Sequence, residues 1–170
     1  MVLNFKSIVK ENVSRETFDL INKYVDSLLF WNKKINLVSK NLSQDDLYGH
    51  ILDGIFAADI IQNYDKSLID IGSGAGLPGM IMLFIGYQNV YLVEKNKKKA
   101  SFMTEFLAQN NLIAKVINQK IESVYLKDVD IIISKAMTDI DSLLSLTKHI
   151  SQSKTSFFLF KDHNQFFREL

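Results

Sequence analysis

The stretch that most constrains what this chain can fold into is Leu68-Ile69-Asp70-Ile71-Gly72-Ser73-Gly74-Ala75-Gly76-Leu77-Pro78-Gly79. A short apolar run, Ser67 to Ile71, reads as a buried strand. It breaks into glycines, and the apolar segment Met80 to Ile85 that follows reads as a helix. The product is a strand, a turn of phosphate or nucleoside size, and a helix. Glycine lets the backbone reach positive φ and lets a ligand meet the main chain without a Cβ in between. Pro78 suits the first helical turn, where its missing N–H is not needed.

Two cofactor classes use such a turn. From Gly74 the string satisfies the dinucleotide pattern G-x-G-x-x-G, and Glu94 stands 20 residues further on, where the ribose-binding acid belongs. From Asp70 it satisfies the acid-x-G-x-G-x-G turn of S-adenosylmethionine (SAM) methyltransferases. Charge separates the two. A carboxylate at the strand end repels a pyrophosphate and attracts the ammonium of SAM's methionine part, so Asp70 favours SAM. An NAD(P) site and a turn that only packs remain the alternatives.

The rest of the chain alternates short Val/Ile/Phe-rich strands with helices. Strands are expected at about 67–71, 90–94, 114–118, 129–134 and 155–161, and helices at about 78–86, 97–109 and 139–150. Upstream, Phe18, Ile21, Val25, Leu28 and Leu29 recur at helical spacing after Ser14, a good N-cap. An interrupted apolar stretch, Phe30 to Val38, continues from there. A second helix begins at Ser43 with the capping-box string Ser43-Gln44-Asp45-Asp46, and carries Leu47, Ile51, Ile55 and Ala58 on one face. The expected fold is α/β, a mostly parallel Rossmann-like sheet with helices on both faces. It forms one domain, with a helical cap over 1–64 and a core over 65–170.

Composition fits one globular domain: 170 residues at 47% hydrophobic bury about 70% of the unfolded surface. A net charge of +1 argues against a nucleic-acid binder working through bulk charge, though not against a local basic patch. With no cysteine there are no disulfides, thiolate metal sites or cysteine nucleophiles. No signal core or membrane-length apolar run is evident, and a soluble cytoplasmic protein is expected.

In open parallel sheets, ligands bind beyond the carboxyl ends of the strands. That rule nominates Gly72 to Leu77 after the first strand, with Gly74 and Gly76 inside the turn, and Glu94 with Lys95 after the second. Glu94 is placed to accept from ribose hydroxyls; otherwise it is a solvated loop acid. After the third strand, Ile121 beside Glu122 offers an apolar face and an acid for adenine, unless Glu122 merely opens a helix. After the fourth, Lys135 in Ser134-Lys135-Ala136 turns a cation toward the cleft.

Trp31-Asn32-Lys33-Lys34-Ile35-Asn36-Leu37-Val38-Ser39, His50-Ile51-Leu52-Asp53-Gly54, the glycine turn, Ser134-Lys135-Ala136 and Leu159-Phe160-Lys161 follow one another from about Phe18 to Lys161. In that order and spacing they resemble the RsmG (GidB) family of bacterial 16S ribosomal RNA (guanine-N7) methyltransferases. The resemblance implies a class I SAM-dependent methyltransferase acting near the decoding site of the small ribosomal subunit. Its SAM contacts would fall on Gly72, Leu77, Ile121, Glu122 and Lys135. Three departures stand out. Lys135 replaces the family's arginine, keeping charge but losing the bidentate fork. Gly54 replaces a serine. The chain ends at Leu170, short of a final antiparallel strand pair, which would leave Phe157, Phe158 and Phe160 near an edge unless Phe166 and Phe167 or a partner cover it.

Guanine N7 carries an in-plane lone pair and no proton, so the implied transfer needs alignment rather than a general base, and no catalytic acid or base is nominated. The three histidines lack partners at metal-site spacing, and no metal is expected. His149 and His163 read as surface or helix-end residues. RNA-binding candidates are Lys33, Lys34, Asn36, His50, Lys135 and Lys161, with Lys97, Lys98 and Lys99 as a further basic cluster or simply a solvated helix face. Asn32, Asn36, Ser39, His50 and Asp53 are equally readable as one buried polar network. A monomer is expected. The rival readings are an NAD(P)-dependent oxidoreductase and a non-catalytic nucleotide- or RNA-binding module.

Overall fold

The computed structural model describes residues 4–135 and 139–160. Ala136, Lys161, His163, Phe166 and Phe167 lie outside them. Three helices come first: α1 (Phe5–Asn12), α2 (Arg15–Ile35) and α3 (Gln44–Ile61). The α/β part follows as β1 (Ser67–Ile71), α4 (Gly79–Ile85), β2 (Asn89–Val93), α5 (Lys97–Gln109), β3 (Lys115–Ile117), a 3-10 turn (Ile121–Ser123), β4 (Ile131–Lys135), α6 (Ile140–Thr147) and β5 (Ser156–Phe160).

The expected helix after Ser14 forms, capped by the Ser14 side chain, but it runs six residues beyond Leu29 to Ile35 and absorbs the interrupted apolar stretch. It stops where Asn36 turns left-handed at φ 44° and Asn32 Oδ1 accepts from the Val38 N–H at 2.9 Å. In α3 the capping box is complete: Asp46 N–H donates to Ser43 Oγ, and Ser43 N–H donates to the Asp46 carboxylate. Its predicted face, Leu47, Ile51, Ile55 and Ala58, is buried. The first helix, α1, was not anticipated. Its eight residues mix Lys6, Lys10 and Glu11 with few apolar positions, and it is tied to α3 by the Phe5 N–H donating to Asp45 Oδ1.

All five strands are parallel, in the order β3-β2-β1-β4-β5. The direction of strand addition reverses at β1, which creates a switch point between β1 and β4 at their carboxyl ends. Strand alternation assigns the faces. Leu68, Val90, Leu92, Ile131 and Ile133 join the core shared with α2 to α5, whereas Ile69, Ile71, Val93 and Ile132 join a second core with Leu143 of α6. Asp70, between Ile69 and Ile71, is thereby turned to the α4 side and is 1% exposed.

Boundaries shift by small amounts. Pro78 caps α4 rather than entering its first turn, and β4 begins later than expected and ends on Lys135. Gly54 has a packing role: a Cβ there would lie 2.9 Å from Ile81 Cβ and 3.3 Å from Pro78 Cβ, so α3 and α4 cross in close contact only because position 54 is glycine.

Candidate functional site

The glycine turn between β1 and α4 is braced from three sides. Beneath it, Asp70 Oδ2 accepts from the Gly79 N–H at 3.0 Å. Beside it, Glu94 Oε2 accepts from the Gly74 N–H at 2.8 Å while Oε1 accepts from the Asn96 N–H at 2.7 Å, linking the loops that follow β1 and β2. From the cap, the Tyr24 hydroxyl donates to the Ala75 carbonyl at 2.7 Å. Tyr24 is fully buried among Phe84, Phe102 and Phe106, and burial pushes its phenol well above the ordinary range. Gly72 and Gly74 take φ of 73° and 60°, conformations costly for any side chain.

Two cavities open over this turn. The larger, about 530 Å³, lies at the carboxyl ends of β1, β2 and β3 and is lined by Gly72, Glu94, Lys99, Gln119, Ile121 and Glu122, among others. The smaller, about 190 Å³, lies toward the cap and is lined by Leu37, His50, Gly72, Gly74, Leu77 and Lys135, among others. Gly72 lines both. Seven of the nine predicted cofactor residues are thus gathered round one connected turn: Gly72, Gly74, Leu77, Glu94, Ile121, Glu122 and Lys135.

Asp70 and Gly76 line neither cavity. Asp70, expected to meet the SAM ammonium, has its carboxylate sent under the turn by strand alternation, where one oxygen accepts from the Gly79 N–H. A Cβ on Gly79 would meet Asp70 Oδ2 at 2.6 Å, so this glycine admits the carboxylate rather than a ligand. Burial dominates the Asp70 environment and raises its pKa to about 7, with the Gly79 N–H opposing. The other carboxylate oxygen is buried without a hydrogen-bond partner. Gly76 is buried at φ 103°, against Met80 and Met103.

At the smaller cavity β4 and α3 meet through charge. Lys135 Nζ lies 2.6 Å from Asp53 Oδ2 and 2.7 Å from His50 Nδ1. Burial raises the Asp53 pKa, but the nearby His50 ring and the Lys135 ammonium that donates to the carboxylate together outweigh it and hold the carboxyl below its usual range. Of the two readings open for Asn32, Asn36, Ser39, His50 and Asp53, the single buried polar network does not form. Asn36 and Ser39 are exposed, and His50 and Asp53 turn to Lys135 instead.

Other RNA candidates are scattered. Lys33 and Lys34 are exposed in the last turn of α2, and Lys34 Nζ sits over the Phe30 and Trp31 rings. Lys161 lies outside the described residues. His149 hydrogen-bonds the Val124 carbonyl, which fits its structural reading. Among the described residues no group of three or more His, Cys, Asp or Glu is arranged to hold a metal, and no helix is long and apolar enough to cross a membrane. Tyr24 was not singled out from the sequence: it stands at helical spacing with Ile21 and Leu28, and that spacing says nothing of where its hydroxyl goes.

Residues 17–167 match the GidB family, described as rRNA small subunit methyltransferase G. The chain belongs to this family. It is 35% identical over 156 residues to the Ribosomal RNA small subunit methyltransferase G of Orientia tsutsugamushi strain Ikeda, covering 92% of this chain and 78% of that protein. It is 33% identical over 153 residues to the protein of the same name from Paramagnetospirillum magneticum, covering 89% and 75%. Among solved structures, MtNAS in complex with S-adenosylmethionine superposes with a TM-score of 0.56 at 13% identity, covering 85% of this chain and 59% of that one. The ribosomal protein L11 methylase of Lactobacillus delbrueckii subsp. bulgaricus gives a TM-score of 0.55 at 13% identity, covering 66% and 59%. These likenesses show a class I methyltransferase fold. Membership of a methyltransferase family decides between the two cofactor readings of the glycine turn, and neither the oxidoreductase nor the non-catalytic reading finds support.

Proposed function

We propose that the chain transfers a methyl group from SAM to N7 of a guanine in 16S rRNA, near the decoding site of the small subunit, acting as a cytoplasmic monomer. The observation that carries the cofactor half is the bracing of Gly74 by Glu94. A carboxylate has about four lone-pair sites, and Glu94 commits one on each oxygen to backbone N–H groups, which leaves acceptors for vicinal ribose hydroxyls. Buried Ile121 beside exposed Glu122 supplies an apolar face and an acceptor for adenine, and Gly72 lets the ligand pass from the larger cavity to the smaller without meeting a Cβ. The donor set therefore fits an adenosyl cofactor. Bound SAM supplies an electrophilic methyl on a sulfonium.

The chain's residues orient and exclude. The acceptor nitrogen has no proton to lose, so the reading asks alignment of this cavity rather than a general base. Lys135, held by Asp53 and His50, presents a fixed cation at the rim, where it attracts the RNA backbone or the cofactor carboxylate. Calorimetric titration with SAM tests the cofactor half: low-micromolar binding that weakens at least tenfold in Glu94→Ala supports it, and equal binding by both proteins rejects it.

A further inference from the structure

Away from the cofactor cavities, α2 and α5 leave a groove of about 280 Å³ between them. Its apolar surface is Trp31 and Ile35, one helical turn apart on α2, with Phe102 on α5; its rim is Lys97, Lys98, Ser101 and Glu105. Lys34 adds a third cation, with Nζ 5.0 Å from the Trp31 ring centroid and 4.3 Å from that of Phe30, itself 53% exposed. The sole acid on the rim, Glu105, already accepts from Gln109 Nε2 at 3.0 Å.

We propose that this groove is a nucleobase-stacking subsite for single-stranded RNA, with Trp31 as the platform and Lys34, Lys97 and Lys98 as phosphate partners. It rests on the reading that the substrate is rRNA. Flat apolar surface ringed by ammonium groups selects a polyanion that carries flat apolar faces, and single-stranded RNA is that polymer. An acidic peptide would satisfy the lysines and leave the aromatic floor unmatched. Position supports the assignment: Lys95 and Lys99 line the larger cavity while Lys97 and Lys98 line the groove, so one five-residue segment borders both. A strand held in the groove therefore runs beside the cofactor cleft, where it helps to fix the acceptor without touching reacting atoms.

The chain contains one tryptophan, so its fluorescence reports this groove alone. The full chain would be titrated with a ten-nucleotide oligoadenylate at several salt concentrations, with polyglutamate as control. The expected result is quenching of Trp31 emission by the oligonucleotide and none by polyglutamate. In the double variant Lys97→Gln/Lys98→Gln the slope of log affinity against log salt should fall by about 1.4, the value for two phosphate contacts on a single strand. Ser101→Leu, on the exposed face of α5, should fill the groove and cut the quenching at least twofold with an unchanged circular dichroism spectrum. Absence of RNA binding, RNA binding without quenching, quenching by polyglutamate, or quenching and salt slope unaltered in both variants would each overturn the proposal. Methyl transfer measured on the same preparations separates the two readings. Loss of transfer with quenching intact refutes the rRNA methylation reading alone; transfer without quenching refutes the groove alone.

Discussion

The carboxylate of Asp70 and the backbone N–H of Gly79 lie 3.0 Å apart, nine residues along the chain and on opposite sides of the glycine turn. This bond closes the turn from below, and it explains why the acid stands at the end of β1 and why the residue facing it has no side chain. A titratable carboxyl is buried there, and the energetic consequence is measurable.

Burial raises the Asp70 pKa from 3.8 to about 7. The folded state therefore holds a proton that the unfolded state has lost, and stability contributed at this site is complete below about pH 4 and falls as pH rises toward 7, on the order of 2–4 kcal/mol. Asp70→Asn keeps an acceptor for Gly79 and removes the titration. Denaturant unfolding at pH 4, 5.5, 7 and 8 should show the difference between wild type and variant shifting in the variant's favour as pH rises. A constant difference would place the titration elsewhere.

Glu94 joins Gly74 to Asn96, so its loss should loosen the turn as well as remove the ribose acceptor. Glu94→Ala should lower the melting temperature by a few degrees, from two lost charge-assisted hydrogen bonds worth about 1.5–3 kcal/mol each before relaxation. Glu94→Gln retains an acceptor and should fall between. Differential scanning calorimetry with and without SAM checks both; identical unfolding of all three proteins would remove Glu94 from the brace.

Lys135 and Asp53 are an ion pair with 22% and 40% of the side chains exposed, so water screens it and it adds only about 0–1 kcal/mol to stability. Its value lies at the cavity rim. Lys135→Ala should unfold within about 1 kcal/mol of wild type yet lose at least tenfold in methyl transfer to small subunits, whereas Lys135→Arg, which restores the family's usual residue, should retain transfer. Full activity of Lys135→Ala in single-turnover assays would take the cation out of the site.

Gly54 admits Ile81 and Pro78 against α3. Gly54→Ser adds a Cβ and a hydroxyl where no space exists and should destabilise by about 1–3 kcal/mol. Equal denaturation midpoints for the two proteins would show that the helices separate freely.

Much of this was legible in residue order. The β1–turn–α4 unit was readable because apolar run, glycines and apolar run follow each other within a few residues, and β1 and α5 fall on the residues expected. Glu94, Ile121 and Glu122 were nominated through the rule that ligands sit beyond strand ends, a consequence of topology, and all three line the larger cavity. Other features depended on which way a side chain turns. Asp70 was assigned to a ligand by charge, whereas strand alternation placed it beneath the turn. The ties of Lys135 to His50 and Asp53 span more than 80 residues, and local spacing cannot reveal them. The groove beside Trp31 appears only once α2 and α5 pack together.

The most direct measurement is transfer of labelled methyl from SAM to small ribosomal subunits lacking N7 methylation, followed by nuclease digestion of the RNA and identification of the labelled nucleoside. Label is expected in 7-methylguanosine alone, at a single position of 16S rRNA. Label in any other nucleoside, or none while SAM binds normally, would contradict the proposed function.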